Sequence, residues 1–134
     1  MVVKIQILVA AHIQAPMPSN NNIYMPIQVG SAITSEIFPG YISDDTGTNI
    51  SNKNPYFNEL TALYWARYNS DADVIGLVHY RRFFSFSKKK DLDTILSETD
   101  IQDLLKKTSV LVPKKRRYWI ETVSYTHLTL PTKA

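Results

Sequence analysis

Residues 71–84, D-A-D-V-I-G-L-V-H-Y-R-R-F-F, decide the fold of this chain. The apolar run of residues 74–78 can be buried on both faces of a sheet only if the residues after it, His79, Tyr80, Arg81 and Arg82, emerge at the carboxyl end of the strand. Ligands of open α/β sheets bind at that edge. A guanidinium presents a planar fork of donors that suits phosphate or carboxylate oxygens. The stretch therefore predicts a central strand that leads into an anion site, with a diphosphate as the first candidate ligand.

Length and composition indicate one globular domain. The chain has 134 residues, of which 44% are hydrophobic and 20% charged, which is ordinary for a soluble fold with a core. Nowhere does an apolar run reach the roughly 18 residues of a membrane span. The first twelve residues, M-V-V-K-I-Q-I-L-V-A-A-H, have the pattern of a strand rather than of a signal peptide. The absence of cysteine excludes disulfides and thiolate metal sites. We expect a cytoplasmic protein.

Charge is unevenly distributed along the chain, whose formal net charge is +3. Residues 1–78 contain three basic residues and six acidic ones, whereas the rest is strongly basic, with K-K-K at 88–90 and K-K-R-R at 114–117. Such clusters attract phosphates, nucleic acid or an anionic membrane surface. Composition alone leaves these three partners open.

The first half of the chain predicts a strand, two loops and a helix. Residues 3–10 have the pattern of a strand, residues 14–22 that of a loop, and residues 23–33 that of a short helix or irregular structure. Residues 40–53 form a polar loop of the kind that carries function. Asn54, as N-cap, and Pro55 begin a helix that ends near Asn69. We expect its buried stripe to contain Phe57, Leu60, Tyr64 and Tyr68, widened by Leu63 and Trp65, and to pack against the sheet.

The second half predicts a further helix and strand. Ser97 and Asp100 have the spacing of an approximate capping box, and Ile101, Leu104 and Leu105 give the helix a buried face. Residues 109–112, S-V-L-V, predict a third strand that ends at Pro113. The alternation of strand and helix is typical of a parallel α/β sheet.

Several segments resemble those of a known bacterial family. They are V-A-A-H at 9–12, I-Y-M-P-I-Q-V-G at 23–30, D-D-T-G-T-N-I-S-N-K-N-P at 44–55, E-L-T-A-L-Y-W-A at 59–66, G-L-V-H-Y-R-R at 76–82 and V-P-K-K-R-R-Y-W-I-E-T at 112–122. On these segments the chain resembles the DUF4422 family, whose members are described as glycosyltransferases of capsular or exopolysaccharide biosynthesis. The resemblance implies an α/β, Rossmann-like fold of the GT-A type, with a mainly parallel sheet flanked by helices, here incomplete.

The resemblance also implies a division of the chain. Residues 1–122 would be the nucleotide-sugar-binding part of a glycosyltransferase domain. Residues 123–134 do not look like the family's continuation, and we expect them to be a disordered or artefactual tail, so His127 is discounted as a site residue.

The resemblance implies that the donor nucleotide and its diphosphate bind at one edge of the sheet. The expected residues are His12, Lys53, Asn54, His79, Tyr80, Arg81 and Arg82. Most GT-A enzymes hold a metal through a D-x-D motif at the end of a central strand, where this chain has His79 to Arg82. Fixed arginine charges would then replace the metal. The alternative is that the arginines only form ion pairs with Asp71, Asp73 or Glu59.

Other polar residues have less specific roles. Asp44 and Asp45 are candidates for catalysis, for holding Mn²⁺ or Mg²⁺, or for binding hydroxyls; the alternative is an Asx-turn with Gly47 at positive φ. No cofactor is certain, and the catalytic residues are otherwise unknown. Glu59 and Tyr64 are supporting residues, and we expect Glu59 to orient Arg81 or Arg82.

The expected activity is transfer of a sugar from a nucleotide-sugar donor to a growing surface polysaccharide or a lipid-linked acceptor. The basic run of Lys114, Lys115, Arg116 and Arg117, next to two aromatic residues, would permit contact with the inner face of the cell membrane. The alternatives are a basic nucleic-acid-binding module, disfavoured by the acidic first half, and a non-catalytic fragment with exposed apolar surface.

Overall fold

The computed structural model describes residues 3–18, 22–86 and 92–113. The strands are β1 (Ile5–Ala11), β2 (Tyr24–Gln28), β3 (Ile42–Ser43) and β4 (Val74–His79), and the helices are α1 (Asn54–Phe57), α2 (Leu60–Asn69) and α3 (Glu98–Leu105). All strand pairs are parallel, in the order β3-β2-β1-β4. A parallel sheet flanked by helices confirms the predicted α/β fold.

Strand β1 is the centre of the molecule and separates two apolar clusters. The odd-numbered side chains of β1 pack with Tyr24 and with Ile101 of α3. Its even-numbered side chains Leu8 and Ala10 pack with Trp65 of α2. Because side chains alternate along a strand, one buried strand supports a helix on each face of the sheet.

Strand β2 corrects the prediction of a short helix or irregular structure at residues 23–33, where the structure has a strand followed by a 3-10 turn at Ser31–Ile33. Pro26 makes the strand hard to predict from the sequence, but its missing N–H removes no hydrogen bond to β1 or β3. The Val29 N–H donates to Ala11 on the β1 side, and the Gln28 carbonyl accepts from Asp44 on the β3 side. By alternation residue 26 faces the β3 side, where pairing covers only Ile27 and Gln28.

Strand β4 forms where the apolar run predicts it and ends at His79. Its position is not the predicted one: β4 lies at the end of the described strand order and pairs with β1 alone. Only Val78 is buried among its residues, and the others are half-buried. Within the described ranges, β4 is therefore an edge strand with half-buried faces rather than the predicted central strand buried on both faces.

The predicted helix from Asn54 is interrupted. Asn58 adopts a φ of 53° between α1 and α2, which is a left-handed conformation that asparagine tolerates better than most residues. Lys53, rather than Asn54, is the N-cap of α1. The Asn54 amide instead donates to the Asn58 carbonyl and to Thr61 Oγ1, at 2.8 and 3.1 Å. The predicted end near Asn69 is confirmed.

Of the predicted stripe, Trp65 is buried on α2 as expected, but the rest of the buried face differs from the prediction. The side chains that face the sheet are Thr61, Ala62, Trp65 and Ala66. Phe57, Leu60 and Tyr68, expected to be buried, are exposed. Two hydrogen bonds fix the helix in this rotation: Thr61 Oγ1 donates to Asp44 at 2.7 Å, and Trp65 Nε1 donates to Thr46 at 2.7 Å.

Helix α3 confirms its predicted capping box. The Asp100 N–H donates to Ser97 Oγ at 3.2 Å and the Ser97 N–H donates to Asp100 Oδ2 at 3.0 Å. Ile101 is buried. The strand predicted at residues 109–112 is wrong, because these residues pair with no described strand and leave Val110 and Val112 exposed.

The basic residues Lys114, Lys115, Arg116 and Arg117 and the predicted tail at 123–134 lie outside the described residues. Among the helices of the described ranges, none has the length and apolar character to cross a membrane.

Candidate functional site

A cleft of about 320 Å³ opens at the carboxyl edge of the sheet. We call it the edge cleft; its walls are Ala10, His12, Val29, Asn54, Asn58, Glu59 and His79. A second cleft of about 200 Å³ shares His12, Val29 and Asn54 with it and continues past the end of β2. The chain passes from β1 to β2 on one side and later to β4 on the other, so the edge cleft lies where the strand order reverses. Ligands of open α/β sheets bind at such switch points.

His79 is held at this edge by the turn that follows β4. Its carbonyl accepts from the Arg82 N–H at 2.8 Å, and its Nδ1 accepts from the Arg81 N–H at 3.2 Å. Since Nδ1 is an acceptor, the proton of the neutral ring is on Nε2. That atom lies 3.7 Å from Glu59 Oε1, which is an electrostatic contact rather than a hydrogen bond.

The environment of His79 favours the neutral imidazole. Burial lowers its pKa below the ordinary value, the Glu59 carboxylate acts in the opposite direction, and the nearby Arg81, His12 and Arg82 lower it further. A neutral ring with Nε2–H facing the cleft can donate a hydrogen bond to a ligand without adding a charge.

Aromatic contacts join several predicted site residues. The Tyr80 ring lies 4.2 Å from the His79 ring and 5.6 Å, edge to face, from the His12 ring, measured between centroids. Arg81 Cζ lies 5.6 Å from the centre of the Tyr80 ring. The structure thus brings His12, His79, Tyr80 and Arg81 together at one edge, beside Asn54 in the cleft wall.

Arg81 and Arg82 are exposed and form no ion pair within the described residues. The acids that could have neutralised them have other contacts: Asp71 pairs with Lys4 Nζ, and Asp73 accepts from the Lys4 N–H at 2.9 Å. In this part of the chain the two arginines therefore do not form the internal ion pairs that the alternative expected. Glu59, which was expected to orient Arg81 or Arg82, forms its ion contact with His79 in the described residues.

Asp44 is completely buried and acts as a structural hub. Its Oδ2 accepts from the Gly30 N–H at 2.9 Å and Thr61 Oγ1 at 2.7 Å, and its Oδ1 accepts from the Ser31 N–H at 3.1 Å and Ser51 Oγ at 2.5 Å. Four donors leave no lone pair directed at a ligand. This arrangement favours a structural role over the predicted catalytic or metal role, because it ties β3 to the turn after β2 and to α2.

The described residues offer little to a divalent cation. Asp45 is exposed, so the two adjacent carboxylates do not converge. No three His, Asp or Glu side chains of the described ranges are grouped as a metal would require. Gly47 has a φ of 56°, as the Asx-turn alternative expects.

Two predicted residues are not brought into the edge cleft. Lys53 is exposed at the start of α1, which at four residues is too short to provide a helix N-terminal anion site. Tyr64 contacts the Tyr68 ring at 4.9 Å on the outer side of α2. Conversely, the sequence prediction missed Asn58 in the cleft wall; an asparagine inside a helical pattern is the signal that could have indicated a left-handed break there.

The chain has recognisable relatives. The family model described as "Domain of unknown function (DUF4422)" matches residues 6–133. The solved apo structure of the bifunctional glycosyltransferase WbbM is 41% identical with a TM-score of 0.58, over 64% of this chain and 15% of that one. This chain therefore corresponds to a small part of that relative. No curated protein matches. The proposed division at residue 122 stays a prediction. With a family model that matches nearly its whole length, the chain belongs to the DUF4422 family.

Proposed function

We propose that this chain is the donor-binding part of a glycosyltransferase that uses a nucleotide-sugar donor. Support comes from its 41% identity to part of the bifunctional glycosyltransferase WbbM and from the cleft at the point where the strand order reverses. The acceptor in this proposal is a growing surface polysaccharide or a lipid-linked glycan.

The observation that carries the proposal is that the two arginines are exposed and unpaired within the described residues. Arg81 and Arg82 follow the end of β4 after one intervening residue, are exposed, and have no carboxylate partner in the described residues. An arginine fork binds phosphate oxygens with two parallel hydrogen bonds. In the proposal these guanidiniums bind the donor diphosphate beside the edge cleft.

The cleft itself has a different chemistry. Apart from Glu59, its polar walls are two histidines and two asparagines. The amides can donate to and accept from hydroxyls, an imidazole N–H can donate to them, and the Glu59 carboxylate can accept from them, whereas the cleft lining supplies no permanently charged cation for a phosphate. We therefore assign the hydroxyl-bearing part of the donor to the cleft and the diphosphate to its rim.

The reaction breaks the bond between the anomeric carbon and a diphosphate oxygen and forms a bond to an acceptor hydroxyl, which loses its proton. Negative charge develops on the departing diphosphate. Donors already oriented toward that charge stabilise the transition state more than the ground state. This is the role we assign to Arg81 and Arg82; the proton acceptor for the incoming hydroxyl is not assigned.

Ligand-observed NMR with a set of sugar nucleotides tests the proposal. A charge-assisted hydrogen bond contributes about 1.5–3 kcal/mol, so Arg81→Ala and Arg82→Ala should each weaken donor binding by about tenfold to a hundredfold. Lys107→Ala removes an equal charge just beyond α3 and should leave binding unchanged. The titration is repeated with Mg²⁺ and with a chelator. Binding that needs the metal and ignores both arginine variants would contradict the proposal.

A further inference from the structure

The outer face of α1 and α2 is apolar where a flanking helix is normally polar. We call this face the tyrosine stripe; it comprises Tyr56, Phe57, Leu60, Leu63, Tyr64 and Tyr68. The exposed fraction is 82% for Tyr56, 52% for Leu60 and 54% for Tyr68. Helices that cover a sheet in water have their apolar stripe toward the sheet and polar residues outside. Here the outward side has large apolar side chains as well, which marks a contact surface.

A rotation of the helix cannot bury the stripe. The sheet-facing side is fixed by the hydrogen bond from Thr61 to the buried Asp44 and by the bond from Trp65 to Thr46. Ala62 and Ala66 fill the remaining contact with the sheet, both almost completely buried. The large side chains of the stripe therefore face outward as a consequence of the fold.

The segment that carries the stripe has two basic residues and one acidic residue. Lys53 precedes the stripe and Arg67 lies within it, with Arg67 Cζ 5.3 Å from the centre of the Tyr68 ring. Glu59 is the one acidic residue between positions 53 and 69, and its carboxylate faces His79 on the cleft side. The stripe is thus rich in tyrosine and has two basic side chains, Lys53 and Arg67, in its own segment.

We propose that the tyrosine stripe docks on an anionic lipid surface. Tyrosine favours the headgroup region, because its ring enters the apolar layer while its hydroxyl stays hydrated. Adjacent basic side chains add attraction to anionic lipids. A membrane is favoured over a protein partner because the charges of the stripe complement anionic headgroups.

Docking would orient the edge cleft. Asn54 and Asn58, which line the cleft, belong to the same segment that carries the stripe. Contact through the stripe would therefore hold the cleft beside the membrane, where a lipid-linked glycan is presented. The docking itself goes beyond the proposed function and does not depend on donor binding.

Vesicle co-sedimentation of the full chain tests the docking, with phosphatidylcholine alone and with added phosphatidylglycerol. The wild type should bind the anionic vesicles, and less strongly at high salt. The double variant Phe57→Ser, Leu60→Ser should weaken binding at least tenfold. Arg67→Gln should weaken it about fivefold, the effect of one basic residue near the surface. Ile37→Ser is the matched control, because Ile37 is also 82% exposed but lies outside the stripe.

Additional variants distinguish binding through the tyrosine stripe from binding through the basic run at 114–117 and from dimer formation. Because the basic run at 114–117 was predicted to contact membranes, the stripe variants are repeated in a background where Lys114, Lys115, Arg116 and Arg117 are glutamine, and the loss should persist there. If circular dichroism shows that the double variant is unfolded, Tyr56→Ser replaces it. The proposal is overturned if the wild type does not bind anionic vesicles, if the stripe variants bind as well as the wild type, or if sedimentation velocity shows a wild-type dimer that the double variant dissociates. Donor titrations of the same variants should be unchanged, so the two proposals can fail separately.

Discussion

Replacing Asp44 with asparagine should destabilise the whole fold, although the substitution removes only a charge. The amide nitrogen must take the place of Oδ1 or of Oδ2. In either orientation it faces one backbone N–H, from Ser31 or from Gly30, and one hydroxyl, from Ser51 or from Thr61. The hydroxyl can rotate and accept, but the N–H cannot. Both orientations therefore leave one buried donor opposed by another donor.

The magnitude follows from these contacts. A buried donor left without a partner costs about 1–3 kcal/mol, and hydrogen bonds to a neutral acceptor contribute about half as much as those to a carboxylate. Part of this loss is offset because a charge no longer has to be buried. We expect Asp44→Asn to lower the free energy of unfolding by about 3 kcal/mol.

Urea unfolding followed by far-UV circular dichroism measures the effect. Asp45→Asn, at the exposed neighbouring position, removes the same charge and should change the free energy of unfolding by less than about 0.5 kcal/mol. The reasoning is refuted if Asp44→Asn is as stable as Asp45→Asn. It is refuted equally if Mg²⁺ or Mn²⁺ raises the urea midpoint of the wild type but not that of Asp44→Asn, because Asp44 would then be a metal ligand.

Two further predictions concern the residues around the cleft. Gly30 and Gly40 both have positive φ, but an added Cβ at Gly30 would lie 2.9 Å from Asn54 Oδ1, whereas at Gly40 it would meet nothing within 4 Å. Gly30→Ala should therefore lower the free energy of unfolding in urea by about 2 kcal/mol, and Gly40→Ala by about 1 kcal/mol. Equal losses in the two variants would contradict the contact with Asn54. The pKa of His79, followed by two-dimensional NMR of the imidazole, should be below its ordinary value and should fall further in Glu59→Gln, because the carboxylate favours the charged ring; an unchanged or higher pKa in that variant would show that the contact is not made in solution.

The elements that the sequence predicts correctly are those decided by neighbouring residues. The capping box of α3 lies within four positions, and β1 and the end of β4 at His79 follow from continuous apolar runs. Such local patterns determine strand and helix formation before any tertiary contact. Likewise, the turn after β4 brings Tyr80 and Arg81 next to His79, as adjacency in the sequence requires.

The elements that the sequence mispredicts depend on distant contacts. Strand β2 contains a proline that is tolerated only because of the side of the ladder it faces. The rotation of α2 is fixed by Thr61, whose acceptor Asp44 is 17 positions away. A period of 3.6 identifies an apolar face but cannot tell whether that face covers the sheet or another partner. For the same reason, paired aspartates in a polar loop predicted a ligand site where one of them has a structural role.

Pro26 also limits how this sheet can grow. The first half of β2 runs past the short β3, and among the described residues no strand pairs with it on that side, so a further strand could add there. On that side residue 26 presents a pyrrolidine ring instead of an N–H. An incoming chain could bond at Tyr24 but not continue through the next position, and a ladder broken after one residue is a poor template for aggregation. The proline that makes β2 hard to recognise in the sequence therefore also limits strand addition beside this part of the described sheet.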